Sequence, residues 1–379
     1  MVARNTGHYV KQPGGYKAFI PLPLPPKPPV ETSPALQKLL SEADRALGRL
    51  DGSIQTLPNP DLFVFMYVRK EAVLSSQIEG TQASLENVLE AEAKIFDPDA
   101  PGDVEEVINY VRALNYGLKR LEELPLSLRL IREIHAELMQ GVRGGNKAPG
   151  EFRRSQNWIG HAGSTIKDAS YIPPPPGELN ALLGAFEKFL HANDNIPALI
   201  KIGLSHPQFE TIHPFLDGNG RVGRLLITFL LCQQAILHKP VLYLSHYLRR
   251  HRSRYYELLQ ATRETGAYED WLAFFLRGVA EVSEEATATA RRIVDLREAH
   301  RRLLADDFGR AAGNGMRLLE HMFERPIISV QDAADLLKVT FAAANQLIDR
   351  MEKKDMVREI TGNRRHRRFR YEPYVKLFD

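Results

Sequence analysis

The chain has 379 residues, which is longer than a single average domain. Hydrophobic residues make up 44% of it, which is ample for a buried core. Its formal charge is only +3, and its single cysteine, Cys232, excludes an internal disulfide and is expected to be a buried thiol. No charged segment followed by an apolar stretch opens the chain, and the apolar run after Leu225 is broken at Gln233, so we expect neither a signal peptide nor a membrane span and predict a cytoplasmic protein.

The first distinctive segment is rich in proline. From Pro21 to Pro29, six of nine residues are proline, so this stretch must be extended rather than helical. We predict a strap laid over the N-terminal helices. A ligand for a proline-recognition module is the alternative.

A helix is predicted next, from Leu62 to Glu79. The stretch contains no helix breaker until Gly80, which would act as the C-cap. Glu79 would lie in the last turn, where the helix dipole disfavours a carboxylate. We therefore expect Glu79 to take a cationic partner from elsewhere in the fold.

Helical periodicity then returns three times, and strand signals are scarce. The body of the protein should be an all-α bundle. The apolar positions that carry the pattern are Val107, Ile108, Val111, Leu114 and Leu118, then Leu128, Ile131 and Leu138, then Leu179, Leu182, Leu183, Phe186 and Leu190.

The segment from Pro149 to Pro176 interrupts this helical pattern. Its glycines and its four final prolines are typical of a surface hairpin with a proline-rich exit. Trp158, near the middle, could equally be a core anchor. Further on, Pro207 lies within the predicted helix from Ser205 to Ile212, so that helix is either kinked at Pro207 or begins there.

The segment from His213 to Arg224 carries the most chemistry. It places a base, a carboxylate, a glycine-rich turn and two guanidiniums within twelve residues. Gly218 and Gly220 allow the backbone to turn tightly and to bring N–H groups close to an anion. The apolar run that follows predicts a buried helix, whose N-terminus favours negative charge. The segment therefore predicts a nucleotide-phosphate site.

These twelve residues resemble the HxFx(D/E)GNGRxxR signature of the Fic (Fic/DOC) family, and every defined position matches. The resemblance implies a protein adenylyltransferase, which moves AMP from ATP onto a Ser, Thr or Tyr hydroxyl of a target protein, including the enzyme itself. The implied roles are a general base for His213, a Mg²⁺ ligand for Asp217, an anion hole for the backbone of Gly218, Asn219 and Gly220, and phosphate contacts for Arg221 and Arg224.

A second motif bears on regulation. Ser75 to Gly80 resembles the inhibitory pattern (S/T)xxxE(G/N) of one Fic subgroup. The resemblance implies that Glu79 holds Arg224, so that ATP binds with its α-phosphate turned away from in-line attack. We expect Ser75 and Glu79 to make the protein autoinhibited.

Other segments resemble the family less closely. Pro149 to Pro176 resembles the flap, a hairpin beside the active site that pairs with an extended target segment. Further nucleotide contacts are implied for Trp158, Ile159 and Gly160 of the flap, for Gln208, and for Tyr255 near the adenine pocket. His206 is interpreted as structural. The family often carries an asparagine between Leu248 and Arg254, where this chain has arginines and a histidine.

The last part of the chain changes character. From Val279 to Asp307 the sequence has no proline or glycine and predicts a long exposed helix that connects two domains, broken at Gly313 to Gly315. A helix-turn-helix from Val330 to Lys354 and two wing strands up to Tyr371 then predict a winged helix.

The basic wing suggests one role for this domain. Five arginines between Arg364 and Arg370 suit phosphate contacts with DNA, while Asn345, Gln346 and Arg350 could face the major groove. Winged helices also serve as protein-binding or dimerising modules, so partners other than DNA stay open.

The predicted fold is an all-α Fic bundle with a β-hairpin flap and a C-terminal winged helix. Three functions are weighed: an autoinhibited adenylyltransferase, a de-AMPylase that uses the same site in reverse, and a DNA-binding regulator whose Fic core senses nucleotide. A homodimer is implied by relatives. The predicted divisions are an N-terminal region at 1–103, the Fic core at 104–278, a connecting helix at 279–314 and the winged helix at 315–379.

Overall fold

A computed structural model describes residues 4–55, 57, 60–95, 101–141, 147–161 and 163–378. The first residue of the first predicted division, 1, and the last residue of the last one, 379, therefore lie outside the described residues. The helices are Pro34–Gln55 (α1), Asp61–Ile78 (α2), Leu85–Glu92 (α3), Val104–Leu121 (α4), Leu128–Leu138 (α5), Leu179–His191 (α6), Ala198–Ile212 (α7), Asn219–Gln233 (α8), Ser245–Arg250 (α9), Arg252–Glu264 (α10), Tyr268–Asp307 (α11), Ala312–Glu324 (α12), Val330–Leu337 (α13), Phe341–Glu352 (α14) and Glu372–Val375 (α15). The strands are Gly7–Lys11 (β1), Lys17–Pro21 (β2), Ile327–Ser329 (β3), Arg358–Glu359 (β4) and Arg368–Arg370 (β5).

The predicted all-α body with a C-terminal winged helix is confirmed. Helices α7 and α8 form its centre and are buried on nearly every face. Their buried residues include charged side chains such as Glu210 and Arg224. The loop between them carries His213 to Gly218. No helix among the described residues is long and apolar enough to cross a membrane.

Pro207 lies inside α7, so the expectation that the helix begins there is wrong. A proline cannot donate to the carbonyl four residues earlier, which here belongs to Gly203. The indole Nε1 of Trp271, at the start of α11, donates to that carbonyl instead, at 2.6 Å. A tertiary contact thus satisfies the group that Pro207 leaves free.

An N-terminal hairpin was not expected from the sequence. Strands β1 and β2 pair antiparallel, with Gly15 in the turn at a φ of +80°. The backbone N–H of Phe19 on β2 donates to the carbonyl of Ile172 at 3.0 Å, and the two-stranded hairpin thereby joins the flap. Phe19 is buried while its cross-strand partner Tyr9 is exposed.

The proline-rich strap follows this hairpin but does not lie where the sequence predicted. The backbone carbonyl of Leu22 accepts a hydrogen bond from Gln208 on α7. The carbonyl of Pro29 accepts one from Arg4. The N–H of Glu31 donates to Glu269 at the start of α11. These bonds place the strap against α7 and α11 rather than over the N-terminal helices.

The flap contains less strand than expected. A single antiparallel bridge joins Ile159 to Tyr171, with N···O distances of 2.8 and 3.1 Å. Trp158 is 42% exposed, so the alternative of a core anchor is wrong. Its indole nitrogen donates to the carbonyl of Ser164 at 3.1 Å.

Helix α11 corrects the prediction of an exposed connector. It begins eleven residues earlier than predicted, at Tyr268, and buries Val279, Val282, Ala286 and Ile293 in a face that packs along α1. Gly313 to Gly315 do not break the chain but lie within α12. The break falls at Gly309, whose φ is +50°.

The winged helix agrees closely with the sequence prediction. Helices α13 and α14 have the predicted limits to within two residues, and β5 lies between β3 and β4. The C-terminal residues return to the bundle: the carbonyl of Phe378 accepts from Lys70 of α2 at 2.7 Å. Its ring also meets Tyr67 of the same helix edge-on. The winged helix is therefore packed against α2.

Candidate active site

The loop between α7 and α8 is held by amide side chains. Asn219 accepts from the backbone N–H of Phe215 and donates to its carbonyl, both at 2.8 Å. Asn157 of the flap donates to the same carbonyl at 2.8 Å. The backbone N–H and carbonyl of Phe215 are therefore both hydrogen-bonded, which gives the loop a defined shape. The Asn219 side chain stabilises the loop itself.

His135 on α5 supports the loop from below, and the sequence prediction missed it. Its ring stacks on Phe215 at 3.7 Å, its Nδ1 accepts from the N–H of Gly150, and its Nε2 lies 3.1 Å from the carbonyl of Asp217. Burial lowers the pKa of His135 to about 4. Because Nδ1 accepts, the proton lies on Nε2 and is donated to Asp217. A histidine on the apolar face of α5, four residues after Ile131, was the available signal.

His213 ends α7 in the left-handed conformation, at a φ of 49° and ψ of 60°. Residues with a Cβ rarely adopt this conformation, and it recurs at functional sites. Arg153 of the flap fixes it by donating Nε to the His213 carbonyl at 2.9 Å. Burial, with the guanidiniums of Arg263 and Arg153, lowers the pKa of His213 to about 3. The imidazole is therefore neutral at physiological pH and able to accept a proton.

Asp217 and the glycine turn follow. Asp217 Oδ1 accepts from the N–H of Gly218 at 2.7 Å, and Oδ2 lies 2.9 Å from the ammonium of Lys147. Burial alone would raise the pKa of Asp217, but Lys147 and the Gly218 N–H outweigh it and lower it. Gly218 has a φ of +76°, and a Cβ there would approach Met139 Sδ to 3.0 Å. The turn thus needs glycine for both conformation and space.

An open cavity of about 370 Å³ lies over this turn. His213, Asp217 and the glycine turn form one wall, and the N-terminus of α8 points its free N–H groups at the same space. The charged residues that line it are Glu79, Asp103, Glu106, Lys147, Asp217 and Arg221. The cavity therefore offers a base, an anion-binding turn and a carboxylate together.

Arg224 is occupied by the inhibitory motif. Its Nη2 donates to Glu79 Oε1 at 2.7 Å and to the Ser75 carbonyl at 3.0 Å, and its Nε donates to Ser75 Oγ at 2.8 Å. The arginine side chain is 2% exposed, whereas that of Glu79 is 39% exposed. Burial would lower the pKa of Arg224, but Glu79 outweighs it and raises the value. We call this contact the Glu79–Arg224 latch.

Gly220 makes room for the latch, and Gly80 allows the backbone to turn after Glu79. A Cβ at Gly220 would lie 2.1 Å from Glu79 Oε1 and 3.1 Å from Arg224 Nη1, so only glycine admits the carboxylate over the turn. Glu79 itself is the C-cap residue of α2, one position past the predicted last turn, and Gly80 follows at a φ of +102°. The turn that would bind phosphate is thus partly covered by Glu79.

Glu71 lies two turns before Glu79 on α2 and anchors the helix. It is buried and accepts from the N–H and hydroxyl of Ser245, at 3.0 and 2.5 Å, and from the Tyr110 hydroxyl at 3.2 Å. Burial raises the pKa of Glu71 to about 7, against the hydrogen bonds from Ser245 and the charge of Arg224. No sequence pattern had indicated this contact.

Arg221 has a partner of its own. Its Nη1 donates to Glu106 on α4 at 3.1 Å, and its Nη2 lies 3.8 Å from Asp217 Oδ1. The predicted phosphate contact of Arg221 therefore has to compete with carboxylates at the rim of the cavity.

The structure does not bring every predicted nucleotide contact to the cavity. Gln208 donates to Leu22 of the strap at 3.1 Å. Tyr255 is buried, with its hydroxyl 2.8 Å from His206 Nε2. His206 also lies 3.0 Å from the carbonyl of Gly223, and these contacts agree with its structural interpretation. Tyr256, the next residue, is 41% exposed. Tyr256 rather than Tyr255 therefore offers an accessible ring.

The flap residues Trp158, Ile159 and Gly160 lie away from the cavity lining among the described residues. A Cβ at Gly160 would meet Ser164 Oγ at 2.3 Å, so this glycine is needed for the fold of the flap. Asn157 and Arg153, which the prediction did not single out, are the flap residues that bond the catalytic loop.

Comparison with known families agrees with this site. The Fic/DOC family N-terminal model matches residues 37–119, which include the predicted inhibitory motif. The Fic/DOC family model matches residues 125–231, which include the signature loop. This chain belongs to the Fic/DOC family. A model described as an HTH DNA binding domain matches residues 316–370.

Relatives of this Fic protein carry a common name. "Protein adenylyltransferase Fic" of Drosophila erecta is 29% identical over 218 residues, 55% of this chain and 39% of that protein, and its counterpart in Drosophila mojavensis is 30% identical over 217 residues, 55% of this chain and 38% of that protein. The matched region thus spans well under half of these relatives.

Solved structures show the same fold. A Fic family protein from Desulfovibrio desulfuricans G20 matches with a TM-score of 0.59 and 20% identity, over 90% of this chain and 97% of its own. A Fic domain containing signaling protein from Bacteroides thetaiotaomicron VPI-5482 matches with a TM-score of 0.52 and 18% identity, over 68% and 95%.

Proposed function

We propose that this Fic protein is an autoinhibited protein adenylyltransferase that transfers AMP from ATP to a hydroxyl of a target protein, itself included. The observation that carries the proposal is the latch beside the cavity: Arg224 is bound by Glu79 while His213 stays neutral and near the glycine turn. Such an arrangement holds every part of a phosphoryl-handling site but withholds one cation.

His213 would act as the general base. It would take the proton of the target hydroxyl while the oxygen attacks the α-phosphorus and pyrophosphate leaves with its electron pair. The N–H groups of Asn219 and Gly220 would face the developing charge, on a loop held in shape by the Asn219 and Asn157 bonds. The Gly218 N–H would join them after leaving Asp217 Oδ1.

A divalent cation fits beside Asp217. Among the described residues there is no group of three metal-ligating side chains, and Mg²⁺ in nucleotide sites is commonly held by one or two carboxylates together with the phosphates. Asp217 has a lowered pKa and lines the cavity, so it is ionised and accessible. When bound, Mg²⁺ would neutralise phosphate charge at Asp217, after Lys147 gives up its contact.

Autoinhibition would follow from competition for Arg224. While Glu79 and Ser75 bind its guanidinium, Arg224 cannot also reach the γ-phosphate of ATP. Glu79 Oε1 also lies over Gly220, where a phosphate oxygen would approach the turn. ATP would then be bound in a pose unsuited to in-line transfer.

The first test uses α-labelled ATP with Mg²⁺ and the wild-type, Glu79→Gly and Glu79→Gly/His213→Ala proteins. We expect covalent label mainly in Glu79→Gly and none when His213 is also replaced. A γ-labelled control separates AMP transfer from kinase chemistry. Equal label in wild type and Glu79→Gly would contradict autoinhibition, and label that survives His213→Ala would contradict the general base.

The reverse reaction is a second candidate. Glu79 is partly exposed at the cavity, so a carboxylate is available there to orient a water toward a bound AMP-protein. Purified wild-type protein that releases AMP from a target modified beforehand by Glu79→Gly would favour de-AMPylation. Absence of release would leave transfer as the activity.

For the winged helix we propose DNA binding, supported by the matching family model and by the exposed arginines at its wing, Arg364 and Arg365. Three other wing arginines are paired with carboxylates: Arg367 with Asp349, Arg368 with Asp332, and Arg370 with Glu372 and Glu86. Arg350 and Asn345 of α14 are also bonded within the protein. Few cations therefore remain for phosphates, and the DNA-binding regulator is the weaker candidate.

A further inference from the structure

The ring of His213 has a second nitrogen, which the proposed mechanism does not use. His213 Nδ1 is buried and forms no well-shaped hydrogen bond among the described residues; the Glu210 backbone carbonyl lies near enough to oppose in part the burial that lowers the pKa of the ring. Glu210, one turn earlier on α7, points its Oε2 at this nitrogen from 3.9 Å, and its Oε1 is likewise buried and unpartnered. Buried polar groups are rarely left without partners in native proteins. The carboxylate of Glu210 thus lies beside the catalytic base, with Oε2 nearest to His213 Nδ1 and Oε1 toward Gly223, and this arrangement calls for an explanation.

We propose that Glu210 is the positioning residue of His213: its carboxylate accepts the Nδ1 proton and thereby keeps Nε2 as the free base. The inference rests on the proposed adenylyl transfer. When Nε2 takes the hydroxyl proton, the O–P bond forms and pyrophosphate leaves with the electron pair, the ring becomes an imidazolium with a proton on each nitrogen. The Glu210 carboxylate then stabilises that cation, which returns its Nε2 proton to solvent.

The fold makes room for this carboxylate. Gly223 lies within α8, where glycine is unfavourable relative to alanine, and its backbone angle does not require glycine. A Cβ at Gly223 would lie 2.5 Å from Glu210 Oε1 and 3.3 Å from His206 Cε1. Gly223 occupies an undefined position of the signature, and the absence of a Cβ there leaves space for the Glu210 carboxylate beside His213.

The charges around Glu210 come from several elements. Burial raises its pKa to about 7, Arg224 of α8 and Arg263 of α10 lower it, and Glu79 after α2 raises it. Arg153 of the flap also acts on His213. Because Glu79 favours the protonated form of Glu210, the latch would disfavour the carboxylate that the base needs. Opening the latch would then release Arg224 and ionise Glu210 together.

Ionisation of Glu210 should make AMP transfer depend on pH. The carboxylate is present only above the pKa of Glu210, so transfer by the Glu79→Gly protein should rise with pH on an acid limb. This limb should lie below about pH 7, because the negative charge of Glu79 is gone. It should be absent from Glu79→Gly/Glu210→Gln, where no group titrates at that place.

The experiment compares Glu79→Gly with Glu79→Gly/Glu210→Gln and Glu79→Gly/Glu210→Asp. We expect the Gln variant to lower kcat at least about tenfold with an unchanged KM for ATP, within the roughly 10²- to 10⁴-fold that a positioned base contributes. Asp, which keeps the charge, should recover part of the rate. Glu79→Gly/Glu71→Gln is the matched control, since Glu71 is also buried near Arg224 but faces Ser245; it should keep the acid limb.

A second readout does not depend on activity. With nitrogen-15-labelled histidine, the His213 signals are assigned by their loss in His213→Ala, and their shifts report which ring nitrogen carries the proton. We expect the proton of His213 to lie on Nδ1 in Glu79→Gly. In the Gln variant we expect a changed ratio of the Nδ1–H to the Nε2–H tautomer. Identical shifts, with equal kcat and an unchanged acid limb, would overturn the role of Glu210. No α-label in the Glu79→Gly background, with the expected shifts, would instead remove the proposed transfer and leave Glu210 as the partner of His213.

Discussion

Arginines of the core and of the wing have opposite surroundings. The side chain of Arg224 is 2% exposed, and each of its described side-chain hydrogen bonds is donated to Ser75 or Glu79. At the wing, Arg364 and Arg365 are exposed, and Arg368 contacts Asp332 in an exposed pair. A charge pair in a low-dielectric interior interacts far more strongly than one in water. The core therefore holds Arg224 in reserve, whereas Arg364 and Arg365 of the wing are presented to solvent continuously.

The largest expected effect comes from breaking the core pair. Glu79→Gly should raise the rate of AMP transfer at least about tenfold. The contact with Glu79 stabilises the occupied state of the buried Arg224 guanidinium by more than about 1.4 kcal/mol, and this free energy is lost when the carboxylate is removed. Glu79→Gln keeps an acceptor and should raise it less. Initial rates of label incorporation measure both, and a Gln variant as fast as Gly would show that the charge alone forms the latch.

The next effect concerns the exposed cations of the wing. Arg364→Ala/Arg365→Ala should weaken binding to a short DNA duplex and lower the slope of log affinity against log salt by about 2, if both arginines contact phosphates. Arg45→Ala/Arg49→Ala on α1 removes the same charge elsewhere and serves as the control. Equal weakening by both pairs, or no binding by wild type at low salt, would count against a DNA-binding wing. In the Glu79→Gly background, replacing Arg364 and Arg365 should leave the rate of AMP transfer unchanged.

A smaller effect separates the two members of the motif. Ser75→Ala removes the hydroxyl that accepts from Arg224 Nε at 2.8 Å but leaves Glu79 in place. A lost buried hydrogen bond of about 1 kcal/mol should raise transfer roughly fivefold. Ser76→Ala is the control, since the Ser76 hydroxyl is buried without a partner among the described residues. The same labelling assay decides, and a rise in Ser76→Ala alone would contradict the contact.

Glu71 predicts a pH dependence of stability. Its pKa is about 7 in the folded protein and that of an ordinary glutamate when unfolded, so the folded state retains the proton between about pH 4.5 and 7. Its contribution to stability is therefore present below pH 4.5 and declines as pH rises through 7. Glu71→Gln should narrow the difference in Tm between pH 5 and 7.5, measured by calorimetry, and exposed Glu123→Gln should not. An unchanged difference would contradict burial of an ionisable Glu71.

The smallest effect is expected where the wing meets the bundle. Arg370 contacts Glu86 of α3 at 2.8 Å, but the Glu86 side chain is 54% exposed. Glu86→Gln should change the free energy of unfolding by less than about 1 kcal/mol, because exposed ion pairs contribute little. Denaturant titration measures this change. A much larger loss would mean that this pair, rather than the packing of Phe378 on α2, attaches the winged helix.

The sequence predicted some parts of the site better than others. His213, Asp217 and the glycine turn come from one continuous segment, so their grouping in space follows from the chain itself. Gln208 and Tyr255 were assigned by their place along the chain, and the folded structure turns both toward the strap and the core. A helix presents neighbouring residues to different faces, so Tyr255 and Tyr256 separate although they are adjacent.

Contacts across the chain were beyond the sequence. His135 and Glu71 reach the loop and Ser245 from helices far away along the chain, and their roles depend on how those helices pack. The length of α11 was underestimated because an amphipathic helix rich in charge can still bury one face along α1.

By itself, the sequence determined the Fic signature, the inhibitory motif and the winged helix, because each is a local pattern whose spacing and turn residues dictate its conformation. Only the tertiary structure decided that Glu79 reaches Arg224 and that the strap crosses α7. The physical reason is that burial and charge pairing are properties of packed helices. Residues more than a hundred positions apart acquire them together only when the chain has folded.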